Sequence, residues 1–201
     1  MTVIAGCAAT GLPPGLSVDK SLQTFDGLFP AASEFFDRVY VADPLDLSDY
    51  THLLPEAHVS QYRHPAAIAE PAIEQLIIST ENRARFQAQI ASAVGNQLAR
   101  TNRLNITDTR AEDTLSLWGM LVDVNARIEE DGTETAEFTL VLELRDSMTD
   151  TTLVRVIHAY RVPLVHDEPD RSWVELERVL DSIALTIRDR LDGLLAQFGQ
   201  S

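Results

Sequence analysis

Apolar and polar positions alternate most clearly in the middle of the chain. Trp118, Met120, Val122, Val124, Ala126 and Ile128 recur at every second residue, and Glu129-Glu130-Asp131-Gly132 supplies a turn. Ala136, Phe138, Leu140, Leu142 and Leu144 resume the alternation. Ser147-Met148-Thr149-Asp150 then turns the chain into a third run, Leu153 to Val162, which stops at Pro163. A two-residue period with short polar connections predicts an antiparallel meander with one buried and one wetter face. Elsewhere the period becomes helical. Behind a Ser79 or Thr80 cap, Phe86, Ile90, Val94 and Leu98 recur every four positions, which predicts a helix to about Thr101. Behind the capping box Ser172-Trp173-Val174-Glu175, an apolar stripe runs through Leu176, Leu180, Ile183, Ile187, Leu191, Leu194 and Phe198, and Gly199 ends it.

The remaining elements are shorter. Arg38-Val39-Tyr40-Val41-Ala42 is rich in β-formers and stops at Asp43-Pro44, which predicts a first strand. Leu45 to about Pro71 carries no clear period and includes Pro55, Pro65 and Pro71, so it reads as a long loop. Ala72 to Ile78 fits either a helical turn or a strand, and Asn102 to Asp113 reads as polar linker. The predicted order is β-α-β-β-β-α. This is an α+β, two-layer fold, in which a mixed sheet with an antiparallel meander is covered on one face by two amphipathic helices. One globular domain is expected over residues 33–201, with Trp118 and Trp173 in its core.

The start of the chain alters the picture of location. Val3-Ile4-Ala5-Gly6 precedes the single cysteine, Cys7, and Ala8-Ala9-Thr10-Gly11 follows it. This stretch resembles a bacterial lipobox, in which a signal peptidase cuts before the cysteine and the thiol carries a diacylglyceryl group. The resemblance implies that residues 1–6 are a remnant of a lipoprotein signal peptide and that Cys7 is the lipid attachment. Residues 7–32 then read as a lipid-anchored tether, docked in part through Phe25, Leu28 and Phe29. Ala8 and Ala9 are not the acidic residues of inner-membrane retention, so the implied address is the periplasmic face of the outer membrane. A complete secretory signal needs a basic segment and roughly 7–15 apolar residues, and six residues precede Cys7. A translation start upstream of Met1 would supply them; the alternative is a cytoplasmic chain in which the match is accidental.

Composition narrows the partners. The 201 residues carry a formal net charge of −15, which argues against nucleic acid and against lying flat on anionic lipid. The same charge suits a basic partner. One cysteine excludes an intramolecular disulfide and a cysteine-based metal site. No apolar run reaches the ~18 residues of a membrane span, so attachment would rest on Cys7.

Candidate chemistry is sparse. His52, His58 and His64 stand six residues apart, a spacing that matches neither helix nor strand and suits exposed loop histidines better than zinc ligands. Asp43, Asp46 and Asp49 could face a hard cation, but they lack the glycine and terminal glutamate of an EF-hand loop and read as turn and cap residues. His158 lies mid-strand beside Tyr160, on the face of Val154, Val156 and Val162, and reads as a hydrogen-bonded sheet histidine. Ser147 follows Asp146 in a turn, where both side chains stabilise the backbone. Neither a nucleophile elbow nor a phosphate-binding glycine motif occurs. No catalytic, cofactor or metal residue is assigned.

Tyr40-Val41-Ala42-Asp43-Pro44, the Glu143-Leu144-Arg145-Asp146-Ser147 turn and the helix opening at Trp173 together resemble a group of uncharacterised bacterial lipoproteins of outer-membrane type. More distantly, the element order is similar to the periplasmic domains of penicillin-binding-protein activator lipoproteins and of the curli secretion lipoprotein. The resemblance implies action by protein contact. The expectation is a non-enzymatic, lipid-anchored envelope protein that binds another envelope component, a protein. The alternatives are a periplasmic carrier or sensor of a small apolar or cell-wall ligand, with a pocket between the sheet and the 45–71 loop, and a metal-dependent hydrolase using the loop histidines.

Overall fold

A computed structural model describes residues 18–33, 36–56, 59–62, 103–128, 130, 133–163 and 169–198, residue 100, and parts of a helical stretch between 84 and 97. The meander is present as β6 (Thr114–Ile128), β7 (Glu134–Asp146) and β8 (Thr152–Pro163), paired antiparallel in sequence order. Ahead of it come β1 (Phe29–Ala31), β2 (Arg38–Val41), β3 (His52–Pro55), β4 (Val59–Tyr62) and β5 (Asn105–Ile106). The strands form one eight-stranded sheet in the order β1-β2-β8-β7-β6-β3-β5, with β4 also paired to β6. β3 and β4 both run parallel to β6, so the sheet is mixed and the fold is α+β.

Parallel pairing explains the long excursion before the meander. A strand returning parallel to its neighbour needs a crossover of a dozen or more residues, usually helical. The helical stretch between 84 and 97 lies in that crossover. The stretch from 45 to 71 is therefore not a single loop: Leu53 of β3 stands opposite Leu115 of β6, and both are fully buried. Its period is hidden because β3 and β4 have four residues each. Likewise, the linker 102–113 holds β5, a two-residue strand. The described part of the expected tether is also folded, since β1 pairs with β2, Val18 bridges to Ala31, and Leu28 is buried. Phe25, expected to dock, is wholly exposed.

One face of the sheet carries the core. Val39, Val41, Leu53, Leu115, Leu117, Phe138, Leu140, Leu142, Leu144, Val154 and Val162 meet Ala93 of the first helix and the inner stripe of the C-terminal helix. That helix spans Pro169–Phe198 and buries Trp173, Leu176, Leu180, Ile183, Ala184, Ile187 and Leu191. It begins three residues before the expected cap at Ser172, with proline in its first turn, where the missing amide costs nothing. The side chains of Phe86, Ile90, Val94, Leu98, Leu194 and Phe198 lie outside the described residues.

Register overturns the expected place of Trp118. Leu117 pairs with Leu144 and Trp118 with Glu143, so Leu115 and Leu117, not Trp118, share the face of Leu142 and Leu144. Trp118 is half-buried on the face opposite the helices. The alternation from Trp118 to Ile128 looks continuous, yet the register shifts between Val122 and Asn125, where Asp123 has a positive φ of 55°. A bulge of this kind exchanges the two faces of a strand.

Candidate functional site

Of the polar residues singled out in the sequence, His52, Asp146 and Ser147 gather at one end of the sheet. The turn between β7 and β8 is built around Asp146. Its Oδ1 accepts from the amides of Met148 (3.0 Å) and Thr149 (2.7 Å) and from the Thr149 hydroxyl (2.8 Å). Its Oδ2 accepts from the Tyr50 hydroxyl at 2.8 Å. Burial pushes the Asp146 carboxyl up, but the Thr149, Tyr50 and Met148 donors outweigh it and hold the group below its ordinary value. Burial and then the Asp146 carboxylate push Tyr50 up to about 12.

Ser147 is fully buried and joins this turn to the approach to β6. Its hydroxyl donates to the Ala111 carbonyl at 2.8 Å and accepts from the Ala111 amide at 3.2 Å, while its own amide donates to Thr114 O. Arg110 clamps the same corner. It donates to Ser147 O (3.1 Å), to Asp150 (2.9 Å) and to Glu56 just beyond β3 (2.5 Å). The Ser147 hydroxyl thus replaces backbone partners that two loops cannot give one another.

His52 stands beside this corner at the start of β3. Its Nδ1 lies 2.9 Å from Asp113 and 2.8 Å from the Thr51 hydroxyl, which donates to the same carboxylate at 2.5 Å. Thr51 and then His52 hold Asp113 below the ordinary carboxylate range. The three side chains close on one another. The Thr51 proton is directed at Asp113, and Thr51 stands on the Nδ1 side of the ring, already oriented by the carboxylate. This geometry fixes the entry to β3 and does not present Thr51 as a nucleophile.

The other candidates are dispersed. His58 and His64 lie outside the described residues, as does Cys7. Asp43 pairs with Lys20 at 2.5 Å, and Asp46 accepts from the amide and hydroxyl of Ser48, whose bonds hold it below its ordinary value. Asp49 is exposed. Among the described residues no three His, Cys, Asp or Glu side chains converge as metal ligands would. His158 sits at the other end of the β2–β8 pairing. Its Nδ1 accepts from the Asp37 amide at 3.3 Å, and Asp37 Oδ2 accepts from the Ala159 amide at 2.8 Å. Tyr160, stacked on Phe138, packs edge-on against the His158 ring.

A second polar group lies on the sheet face opposite the helices. Glu143 is 4 % exposed and accepts from Arg155 Nε (2.5 Å), from Arg145 Nε (2.7 Å) and from Arg145 Nη2. Arg155 continues to Asp26 at 2.5 Å, tying the segment before β1 to the meander. The Arg145 guanidinium lies over the Trp118 ring, 4.5 Å from its centroid, and Arg85 covers Trp173 in the same way at 4.4 Å. Glu143, Asp146 and Ser147 all belong to the Glu-Leu-x-Asp-Ser turn picked out in the sequence. Tyr50, Arg110, Asp113 and Asp26, which complete both groups, come from loops with no periodic signal; only the Asp113-Thr114 junction before an apolar run hinted at a strand entry.

Comparison with known proteins identifies no matching family model and no matching curated protein. Among solved structures, the chain is similar to a Xanthomonas campestris protein of the DUF330 family, with a TM-score of 0.53 and 12% identity over 76% of this chain and 89% of that one. A hypothetical protein from Chlamydia trachomatis matches with a TM-score of 0.49 and 8% identity, over 74% and 99% of the two chains. A minor lipoprotein from Acinetobacter baumannii matches with a TM-score of 0.35 and 12% identity, over 68% and 92%. At these identities the first likeness is one of fold, which the chain shares with an uncharacterised bacterial family.

Proposed function

We propose that this chain is a non-enzymatic lipoprotein of the bacterial envelope. It is anchored through Cys7 at the periplasmic face of the outer membrane and acts by binding another envelope protein. The observation that carries the reading is Ile4-Ala5-Gly6-Cys7, a peptidase-compatible run ending in the one thiol of the chain. Two features support it. No helix among the described residues is long and apolar enough to cross a membrane, which is compatible with attachment through a lipid. The side chains with chemical potential, His52, Asp146, Ser147 and His158, are spent on closing turns and strand ends.

Two acyl chains anchor a protein stably, whereas one binds marginally. Fractionation of the native host tests the reading. The natural chain is expected in the outer-membrane fraction and Cys7→Ser, which keeps its uncut signal segment, is expected to be missing from it, with loss of the protein's cellular effect. A Cys7→Ser chain that stays in that fraction and fully active contradicts it.

A further inference from the structure

Leu22 and Phe25 break the rule that a folded turn hides its apolar side chains. Phe25 is 100 % exposed and Leu22 62 %, three residues apart in the segment that leads into β1. The other large exposed apolar residues among those described, such as Met148 in the β7–β8 turn and Val174 on the C-terminal helix, have no second one within four positions along the chain. Single apolar residues on a surface are ordinary, and two held outward within three positions of one another invite an occupant.

The turn that presents them is fastened. The Thr24 amide donates to Leu28 O at 2.8 Å, the Leu28 amide donates to the Thr24 hydroxyl at 2.9 Å, and the Gly27 amide donates to Thr24 O at 3.1 Å. Gly27 takes a φ of 89°, a conformation that costs glycine nothing. Beneath the turn, Leu28 is buried and Asp26 is ion-paired to Arg155. Phe25 is therefore held outward by the fold.

We propose that Leu22 and Phe25 rest in the interface of the phospholipid bilayer and set the orientation of the domain on the membrane. The inference rests on the lipid-anchor reading and adds a second contact to it. Ten residues lie between Cys7 and Val18, and a fully extended chain spanning those eleven steps reaches about 40 Å at most. A lipid at Cys7 thus keeps Val18, four residues before Leu22, within about 40 Å of the headgroups. Phenylalanine and leucine suit that depth. Two of the nearby carboxylates are ion-paired, Asp26 with Arg155 and Asp43 with Lys20, while Asp19 is exposed and bonded to Ser21. The chain's net negative charge directs the contact to zwitterionic rather than anionic lipid.

The test couples the full chain, through its single thiol, to maleimide-bearing lipid in phosphatidylcholine–phosphatidylethanolamine vesicles with brominated acyl chains. Coupling by chemistry keeps the result independent of whether Cys7 is lipidated in the cell, which mass analysis of the native protein decides separately. Phe25→Trp and Leu185→Trp variants are compared with the parent chain, whose Trp118 and Trp173 set the background. The added indole at position 25 is expected to lose about half of its emission to bromine, as an interfacial group would, and the one at 185 to lose little. No quenching at 25, or equal quenching at both positions, overturns the proposal. A blue shift of the Phe25→Trp emission that grows with protein concentration in the absence of lipid also overturns it, because a second copy would then be the occupant.

Discussion

Two serines with no exposed surface, Ser147 and Ser116, make opposite predictions. The Ser147 hydroxyl both donates to and accepts from Ala111, so Ser147→Ala takes a partner from the part-buried Ala111 amide, while the carbonyl keeps the Thr114 amide. The expected loss is about 2 kcal/mol in urea unfolding. Ser116 Oγ has no partner among the described residues, so Ser116→Ala removes a desolvated hydroxyl and should be neutral, or stabilising by up to about 1 kcal/mol. Equal losses in both variants would show that hydrogen bonding does not distinguish the sites. The Tyr50–Asp146 pair predicts a dependence on pH. The folded carboxyl of Asp146 lies below its unfolded value of about 3.9, so its contribution is full above that pH and disappears as pH falls below it. Tyr50 is raised to about 12, so its contribution is full below about 10 and disappears as pH rises from there towards 12. Tyr50→Phe should flatten part of both limbs of a plot of urea midpoint against pH; unchanged limbs would remove the pair from the account. At this scale the sequence was partly legible. Asp146 announces a turn because its side chain bonds to the backbone just ahead of it, whereas the Ser147 hydroxyl bonds to Ala111 and not to its own turn. Arg110, Tyr50 and Asp113 reach their partners across loops, and spacing along the chain carries no record of that.

Among the elements, β3 shows where periodicity fails. Leu53 is 0 % exposed in a stretch with the composition of a loop. Leu53→Ala is expected to cost about 3 kcal/mol through the cavity it leaves, measured by chemical denaturation; a change within about 0.5 kcal/mol would show that β3 is not part of the core. The meander and the C-terminal helix were legible because each repeats its period over many residues. The four strands missed have two to four residues each, too short for a period to register. The bulge at Asp123 exchanged the faces of β6 without disturbing its apparent alternation. Glu143 adds an element-scale consequence, because it joins β7 to β8 through Arg155 and, through Asp26, to the segment before β1. Glu143→Gln leaves Arg145 and Arg155 short of a buried counter-charge, with an expected loss of about 2–3 kcal/mol and faster amide exchange over residues 24–31 than elsewhere. A uniform effect across the sheet would contradict the assignment of Glu143 as the tie for that segment.

For the whole molecule, an acidic α+β domain with one helix-covered face, polar groups committed to its own turns and a thiol ahead of its first strand are the features behind the proposed envelope role. Its charge favours a basic partner, and binding should weaken as salt rises. Fold similarity to a DUF330 protein supports the architecture and carries no statement of function. The most direct test is the intact mass of the protein recovered from its native host's membranes, expressed with its natural upstream DNA. A mass equal to a chain beginning at Cys7 plus diacylglyceryl and any further acyl group is the predicted result. An unmodified chain in the soluble fraction would contradict the account.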